Sequence, residues 1–313
     1  MIISCGEALI DFVPVEVGGV AAYRPFPGGS PFNVAIGLGR LGAPTGFFSR
    51  LSTDFFGDLL VKTLQQNAVD VRYLTRAPDP STLAFVSAPG EGEPQYAFYS
   101  NGAADRSMTE RDLPLAFDDK VACLHFSLGA ITLNVEPAAR TLEALMRREA
   151  KRRVLAFDPN IRAGLIGNRE AYRKHVEGWV AAMDLVKVSR ADLDWLYPGR
   201  GVEDSAEAWR KLGPRLVVVT LGADGAMALV DGRKVLVRGR KVTVVDTVGA
   251  GDSFHSALLA GLNERGALTR DWLQKLEVDA VEALLNRAVA AAAITCSRAG
   301  ANPPTKAELE ALL

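Results

Sequence analysis

The sequence predicts an α/β fold: a doubly wound, mostly parallel central sheet with helices on both faces, and a small β lid that projects from it. Three observations predict this architecture. Short apolar runs rich in β-branched and aromatic residues alternate with segments of helical periodicity. The runs are apolar at successive positions, as expected of strands that are covered on both faces. Two further segments break the alternation and have the pattern of β-ribbons.

The predicted strands of the central sheet are short and well separated along the chain. They are Ile2–Ile10, Val121–Phe126, Val154–Phe157, Leu185–Val188 and Leu216–Val219. Between them, segments such as Glu136–Arg148 place their apolar side chains on one helical stripe. A last strand-like run, Val242–Val245, precedes a change of character at Asp246. Beyond it we expect helices, of which Gly251–Arg265 and Val278–Arg298 are the longest.

The two segments outside this rhythm predict the lid. Val13–Arg24 follows the first strand directly, and Thr82–Ser100 holds two β-rich stretches around the turn P-G-E-G-E-P at residues 89–94. We expect a lid formed by residues 12–26 and 81–106. No internal repeat and no Pro/Gly/Ser linker divides the sequence, so we expect residues 1–313 to form a single domain that carries this lid.

Composition limits the classes of partner. The chain has 313 residues, 48% of them apolar, with 36 basic and 37 acidic side chains and a net charge of −1. A near-neutral chain has no electrostatic footprint for nucleic acid or an anionic membrane, and no run of apolar residues is long enough to cross a bilayer. We therefore expect a small-molecule partner. Cys5, Cys123 and Cys296 stand singly in apolar segments, and the amino terminus has no basic leader, which favours a cytoplasmic location.

The string D-T-V-G-A-G-D-S-F, residues 246–254, has the composition of a phosphate cradle. Gly249 and Gly251 allow successive backbone N–H groups to converge, and the helix that begins here adds the positive end of its dipole. Asp252, in the first turn of that helix, could accept a proton from an attacking hydroxyl. The alternative is an ordinary strand–turn–helix connection with an acidic residue at the helix start.

A second glycine string, P-G-G-S-P-F-N at residues 27–33, precedes a helix that Pro31 can start. The pair Gly28 and Gly29 lets a ligand approach backbone amides closely, and Asn33 offers a donor and an acceptor to sugar hydroxyls. A loop with a helix cap is the alternative interpretation of this string.

Together the two strings resemble the paired signatures of the ribokinase-like carbohydrate kinases, the PfkB family. Four other strings resemble landmarks of that family and follow in its order: G-E-A-L-I-D at 6–11, D-P-N-I-R at 158–162, V-V-V-T-L-G-A-D-G-A at 217–226 and S-R-A-G-A-N-P-P-T at 297–305. The resemblance thus spans residues 6 to 305. It implies a ribokinase-like fold and an ATP-dependent kinase that transfers the γ-phosphate to a hydroxyl of a small sugar, with Mg²⁺ and K⁺ as cofactors.

The resemblance also implies roles for individual residues. Asp252 would be the catalytic base, and the amides of Gly249, Ala250 and Gly251 would form an anion hole. The sugar would be held by Asp11, Gly28, Gly29, Asn33, Tyr96, Phe98, Arg106, Asn160 and Arg162. The nucleotide would be held by Lys187, Thr220, Gly222, Gly225, Gly249, Gly251 and Asn286. Asp246 and Gly300 would bind K⁺. Residues 189–192 read S-R-A-D where the family has N-x-x-E, so Asp192 would take the place of a glutamate in holding Mg²⁺ through water.

The predicted strands agree with a common site. Asp11, Asp158 and the Gly249 loop each follow a strand-like run at its carboxyl end, which is where open α/β sheets bind their ligands.

Other functional classes find little support. Gly37, Gly39 and Gly42 spell G-x-G-x-x-G, the fingerprint of a nicotinamide-dependent dehydrogenase, but we expect them inside the helix that starts near Pro31, with Gly42 at its end. A catalytically idle sugar-binding regulator is disfavoured by the intact G-A-G and Asp252. We expect His125 and His255 to be packed residues rather than ligands.

The identity of the sugar depends on the lid. Tyr96–Arg106 ends in A-D-R, which resembles the lid segment of fructokinases, and the acceptor-only carboxylate of Asp11 suits sugar hydroxyls. We therefore expect fructose to be converted to fructose 6-phosphate. Arg106 and Arg162 could instead bind a carboxylate, so 2-keto-3-deoxygluconate kinase, or another PfkB sugar kinase, stays the alternative. A homodimer through the lid is a further expectation.

Overall fold

The computed structural model describes residues 1–87, 96–127 and 135–313. Its strands are β1 Ile2–Cys5, β2 Leu9–Val17, β3 Val20–Gly28, β4 Thr45–Ser52, β5 Val69–Asp70, β6 Leu74–Ala77, β7 Thr82–Val86, β8 Tyr96–Tyr99, β9 Cys123–Ser127, β10 Val154–Asp158, β11 Leu185–Ser189, β12 Leu216–Thr220, β13 Gly225–Val230 and β14 Arg233–Arg238. Its helices are α1 Ser30–Arg40, α2 Phe55–Gln66, α3 Ala138–Glu149, α4 Arg169–Val180, α5 Arg190–Leu196, α6 Val202–Leu212, α7 Ala250–Glu264, α8 Arg270–Gln274, α9 Val278–Cys296 and α10 Lys306–Glu310.

A central sheet organises the main body. Its strand order is β14-β13-β12-β11-β10-β9-β1-β4-β5, and β6 pairs with β4 outside this path. Within this order, the neighbouring strands from β12 across to β5 are parallel, as are β4 and β6. β13 and β14 add an antiparallel edge. The prediction of a doubly wound, mostly parallel sheet is confirmed.

The strands are apolar at successive positions because neighbouring side chains enter different cores. Ile2, Cys123 and Leu185 face the core formed with α1, α7 and α9. Their successors along the chain, such as Ile3 and Leu124, enter the core formed with α3, α4 and α6. The helices therefore cover both faces of the sheet, and the carboxyl ends of the parallel strands meet at one edge.

The predicted lid is a second sheet with the order β3-β2-β7-β8. β2 and β3 form an antiparallel ribbon with Leu9 opposite Gly28, and β7 pairs with β8 in the same way. β2 and β7 are parallel, and together they join the two ribbons. The predicted turn at residues 89–94 lies outside the described residues.

The first predicted strand, Ile2–Ile10, is wrong in extent. It is two strands, since β1 belongs to the central sheet and β2 to the second one. Gly6 separates them with a φ of 142°, a conformation that residues with a Cβ rarely adopt, so the chain changes direction there. As a result Asp11 lies within β2 of the second sheet, and not at the carboxyl end of a central strand as we predicted.

The segment Val242–Val245 lies in the described part of the chain and does not form the strand that we predicted. This segment connects β14 to α7 without a strand partner, and the Val245 amide bonds to the Cys296 carbonyl at the end of α9. The side chain of Val244 is 61% exposed. A run of valines forms a strand only where a neighbouring strand offers a ladder, and here the backbone finds a helix end instead.

The dinucleotide-like glycines have a packing role. Gly37 and Gly39 lie inside α1, and Gly42 follows its end with a φ of 77°, as predicted. A Cβ on Gly37 would lie 2.3 Å from the Ser256 Oγ of α7, and one on Gly39 would lie 2.0 Å from a backbone oxygen after α2. These glycines let α1 approach its neighbours and are not placed in a strand-to-helix turn. Among the helices of the described residues, none has the length and apolar character that crossing a membrane requires.

Candidate active site

The predicted base lies where two helix starts meet. Asp252 is in the first turn of α7, and the first turn of α1 faces it. The Ser30 hydroxyl donates to Asp252 Oδ1 at 2.5 Å, and the Asn33 amide donates to Asp252 Oδ2 at 2.9 Å. The structure thus brings together the two glycine strings that stand some 220 residues apart in the sequence.

Asp252 is a buried carboxylate whose two oxygens are held by hydrogen bonds. Burial raises its pKa, while the hydrogen bonds from Ser30 and Asn33 oppose that rise because they stabilise the ionised form. The nearby charges of Asp158 and Lys187 act in opposite directions. A carboxylate oriented in this way can accept a proton from a hydroxyl that reaches it.

The G-A-G segment beside Asp252 begins α7. Gly249 is the N-cap of α7 in the left-handed conformation, with a φ of 74°. The Gly251 amide belongs to the first turn, where a helix leaves its N–H groups without intrahelical acceptors, while the Ala250 amide donates to the Thr247 carbonyl at 3.3 Å. A Cβ on Gly249 would lie 2.6 Å from the Ala301 Cβ, so the glycine also lets the loop of residues 297–305 pack here.

A buried ion pair lies beneath this segment. Lys187 Nζ is 2.8 Å from Asp158 Oδ2, and both side chains are almost completely buried. A Cβ on Gly251 would lie 3.0 Å from Lys187 Nζ. Burial would lower the pKa of Lys187, but Asp158, with Asp192 and Asp252, outweighs it and the pKa is raised. Lys187 therefore stays a cation directly below the G-A-G backbone.

Asp192 is held by backbone groups. Its Oδ1 accepts from the Ile161 amide at 3.1 Å, and its Oδ2 accepts from the Ser189 amide at 3.3 Å in the capping box of α5. Burial and the charge of Asp158 raise its pKa. No cluster of three or more His, Cys, Asp or Glu side chains suited to a metal ion occurs in the described ranges. The Asp192 oxygens keep further lone pairs, so this carboxylate could also accept hydrogen bonds from the water of a bound Mg²⁺.

Asp11 lies close to Gly28, the first glycine of the pair. A Cβ on Gly28 would lie 2.4 Å from Asp11 Oδ2, and one on Gly29 would lie 3.0 Å from the Glu7 carbonyl oxygen. Gly29 also has a φ of 105°. Burial raises the pKa of Asp11 to about 6, against the opposing charge of Arg162. Gly28 is thus favoured by its close approach to this carboxylate, and Gly29 by its φ and by the backbone of Glu7 and Ala8.

Tyr96 and Phe98 of β8 lie on the same face of the second sheet as Asp11. Phe98 and Asp11 are both paired with Ala84 across the second sheet, so they share one face of it. Tyr96 lies two residues before Phe98, on the same face, and its pKa is raised by burial and by Asp11.

The arginines and Asn160 take two different positions. Arg162 is exposed, lies within electrostatic range of Asp11, and donates to the Asn160 Oδ1 at 2.7 Å. Asn160 has a φ of 41°, which turns the D-P-N-I-R loop at the end of β10. Arg106 is half-buried in the turn after β8, where Asp105 and Glu7 are its charged neighbours.

Three of the residues predicted for the nucleotide lie in and before the turn from β12 to β13. Thr220 ends β12, and Gly222 and Gly225 form the turn to β13. A Cβ on Gly225 would lie 2.2 Å from the Val237 carbonyl oxygen. Asn286 lies in the middle of α9, ten residues before Cys296 and thus about 15 Å along the helix axis from the end that meets the Asp246 loop.

Asp246 connects the start of the 246–254 segment to the loop of residues 297–305. Its Oδ1 accepts from the Val248 amide at 3.0 Å, and its Oδ2 accepts from the Gly300 amide at 2.8 Å. Each carboxylate oxygen keeps a further lone pair, and oxygen donors of this kind suit a potassium ion. The pair predicted for K⁺ is therefore in direct contact.

Sequence reasoning placed Asp158 at this edge of the sheet without a partner, and it missed Ser30 and Ser127. In the structure Asp158 pairs with Lys187, while Ser127 bonds to Ser30 and Ser30 bonds to Asp252. The partner of Asp158 could have been found, because a side chain at the end of one parallel strand lies beside the end of the next. The hydroxyls of Ser30 and Ser127 give no signal in the sequence, since a serine in a loop or at a helix start is most often a cap.

Comparison with known proteins gives a consistent result. The model of the pfkB family carbohydrate kinases matches residues 1–308. A fructokinase of Rhizobium leguminosarum bv. trifolii is 44% identical over 283 residues, which cover 90% of this chain and 85% of that protein. The crystal structure of a fructokinase from Xylella fastidiosa with bound ATP matches with a TM-score of 0.89 and 26% identity, covering 99% of this chain and 97% of the other.

A second solved structure agrees with the first. A double mutant of the Vibrio cholerae O395 fructokinase, in a form that binds fructose, ADP and a potassium ion, matches with a TM-score of 0.86 and 27% identity over 100% of this chain and 97% of that one. Because the family match covers almost the full length and the paired glycine strings meet at one buried aspartate, the chain belongs to the PfkB family of carbohydrate kinases.

Proposed function

We propose that this protein is a fructokinase that transfers the γ-phosphate of ATP to the terminal primary hydroxyl of fructose and forms fructose 6-phosphate. The observation that carries the proposal is the buried Asp252, held at the start of α7 beside the G-A-G amides. The fructokinases among the relatives, one solved with ATP and another with fructose and ADP, support both substrates.

In the proposed reaction Asp252 takes the proton of the primary hydroxyl while the oxygen of that hydroxyl attacks the γ-phosphorus. The new O–P bond forms as the bond to the β-phosphate oxygen breaks, and ADP leaves with those electrons. The amides of Gly249, Ala250 and Gly251 hold the phosphoryl oxygens, and Lys187 adds positive charge from below. These residues orient the phosphoryl group and stabilise the charge that shifts during transfer.

The sugar would lie between Asp11 and the lid. An ionised Asp11 accepts hydrogen bonds from a pair of hydroxyls, while the backbone of Gly28 and Gly29 and the free oxygen of Asn33 offer neutral partners. Tyr96 and Phe98 cover the pocket from β8. A carboxylate substrate would be repelled by Asp11, which favours an uncharged sugar. The second sheet would thus act as the lid, with Arg106 supporting its turn and Asn160 presenting Arg162.

One observation favours a second candidate, 2-keto-3-deoxygluconate kinase. The Arg162 guanidinium is exposed and lies within range of Asp11, so it could bind a substrate carboxylate through two parallel hydrogen bonds. In a fructokinase the same guanidinium would donate to ring hydroxyls instead.

The cofactors follow from the family and the donor set. Mg²⁺ would neutralise the nucleotide phosphates, with Asp192 as a partner of its bound water, and K⁺ would be held by Asp246 and the Gly300 loop. We also assign the turn Thr220–Gly225 to the nucleotide, and Asn286 to its adenine end. A potassium ion in the Vibrio cholerae enzyme supports the monovalent site.

The lid also supports a homodimer. Phe12 and Phe85 stack at 4.5 Å on the face of the second sheet opposite Asp11, and Tyr99 and Tyr23 extend that face with 65% and 48% of their surface exposed. An aromatic face of this kind is typical of a surface covered by another protein, and here we propose a second copy of the chain. Sedimentation equilibrium of the wild type and of Tyr99→Glu tests this, and a monomeric wild type would contradict it.

A sugar panel tests the proposed function. ADP release is followed with fructose and with 2-keto-3-deoxygluconate under identical conditions, and kcat/KM should favour fructose at least about tenfold, equivalent to about 1.4 kcal/mol. Arg162→Met should then lower kcat/KM for fructose only modestly. A preference for the acid that disappears in Arg162→Met would overturn the assignment of fructose and identify the arginine as a carboxylate clamp.

A further inference from the structure

The proposed base is supported by a chain of hydroxyls that the reaction scheme does not use. Ser127 Oγ lies 2.5 Å from Ser30 Oγ, which in turn lies 2.5 Å from Asp252 Oδ1. Both serines are buried. An ionised carboxylate accepts and cannot donate, so the single Ser30 proton points to Asp252 and the proton between the two serines must come from Ser127. The direction of the chain is therefore fixed from β9 through α1 to α7.

We propose that Ser30 is a positioning residue for phosphoryl transfer, which orients the Asp252 carboxylate and favours its proton-accepting form, and that Ser127 holds Ser30 in place. The inference rests on the proposed function because it assigns a role around the same base. Ser30 touches neither the nucleotide nor the sugar in this role. It acts through Asp252 alone.

The strands behind α1 fix the position of Ser30. The Ser4 hydroxyl of β1 donates to the Pro31 carbonyl at 2.7 Å, directly after Ser30. His125 lies two residues before Ser127 on the same face of β9, and its Nδ1 is 2.9 Å from Ser4 Oγ. Because Ser4 has given its only proton to Pro31, His125 Nδ1 must donate to Ser4. Two side chains of β9 thus support the first turn of α1, one through Ser4 and one through Ser30.

The charged groups around Asp252 act on its titration separately from the Ser30 hydrogen bond. Lys187 on β11 favours the ionised carboxylate, and Asp158 on β10 disfavours it, and these two groups form an ion pair with each other. On α1, Ser30 and Asn33 face it as neutral donors. A hydrogen bond to a charged acceptor is stronger than one between neutral groups, so removing the Ser30 donor should shift the titration of the base.

The test is the pH dependence of the single-turnover rate of phosphoryl transfer at saturating sugar and ATP. In Ser30→Ala, the acid limb of the profile should move up by about one to two pH units, because the ionised form loses one donor. In Ser127→Ala the limb should move in the same direction by about half a unit, since Ser30 still donates. The matched control is Ser256→Ala: Ser256 is a buried hydroxyl on α7 that donates to the Ser253 carbonyl, and its loss should leave the limb unchanged.

The outcomes separate this inference from the proposed function. An acid limb in Ser30→Ala within about 0.3 unit of the wild type would overturn it, and so would an equal shift in Ser256→Ala. If Ser30→Ala does not fold by its melting curve, Ser127→Ala decides, and an unmoved limb there overturns the inference. If the wild type prefers another sugar, the profiles are recorded with that sugar and only the assignment of fructose falls. A wild type that phosphorylates no sugar would overturn both.

Discussion

The contact between Gly28 and Asp11 allows a quantitative test of the sugar pocket. Gly28 has an ordinary backbone conformation, so alanine is not excluded there by φ. Its Cβ would nevertheless lie 2.4 Å from Asp11 Oδ2, where ordinary contact begins at 3.4 Å. The carboxylate must therefore retreat by about 1 Å, which is enough to remove a hydrogen bond to a sugar hydroxyl.

The expected cost of Gly28→Ala follows from that displacement. Loss of one hydrogen bond to a charged group, or a misplacement of about 1 Å at a positioning group, lowers the rate by about 10- to 100-fold. We therefore expect kcat/KM for fructose to fall by about that factor in the ADP-release assay, chiefly through KM, with the melting temperature within a few degrees of the wild type. Gly164→Ala is the control, because a Cβ on that glycine meets nothing within 4 Å.

A double-mutant cycle shows whether Asp11 transmits the effect. In the Asp11→Ala background there is no carboxylate left to displace, so adding Gly28→Ala should cost less than about threefold. The reasoning is refuted if Gly28→Ala keeps kcat/KM within twofold of the wild type, or if it costs the same with and without Asp11.

Three other predictions concern the base Asp252, the potassium ion and the carboxylate of Asp11. Asp252→Asn should lower kcat by about 10²–10⁴ while sugar and ATP binding survive within a few fold, and a variant that keeps more than about half of kcat would exclude Asp252 as the base. Replacing potassium by a bulky organic cation at constant ionic strength should lower the rate, because the proposed site at Asp246 and Gly300 would then hold no ion. An unchanged rate would refute the proposed potassium site. Since the pKa of Asp11 is raised to about 6, its ionised form is present above that pH, so KM for fructose should rise as pH falls below about 6 in the wild type and not in Asp11→Ala.

The sequence predicted those parts of the molecule whose chemistry is local. Asp252 and the G-A-G segment were identified because glycine amides, a helix start and an acid stand within a few residues of one another. The contact between Asp252 and Asn33 needed the fold, since α1 and α7 meet only through packing that Gly37 permits. The resemblance to the family signatures indicated that the two glycine strings belong to one site, which hydrophobic periodicity could not indicate.

Where the sequence misled, a backbone feature decided the outcome. Ile2 to Ile10 reads as one strand because it is largely apolar, and the conformation of Gly6 moves Asp11 into the second sheet. Val242–Val245 has high β-propensity but no partner strand. Both cases show that propensity describes what a segment can form, while the neighbouring elements determine whether it forms.

The charges below the G-A-G segment explain why this site needs cations. Asp158, Asp192 and Asp252 surround Lys187, so the four groups carry three negative charges and one positive charge when all are ionised, a net of −2. Polyphosphate would be repelled by such a group if it arrived alone. The helix start and Lys187 offset part of that repulsion, and a divalent ion that travels with the nucleotide is the natural source of the rest. Burial raises the pKa of Asp252, and the charge of Asp158 adds to that rise while Lys187 opposes it, so the carboxylate has a higher proton affinity than an exposed aspartate.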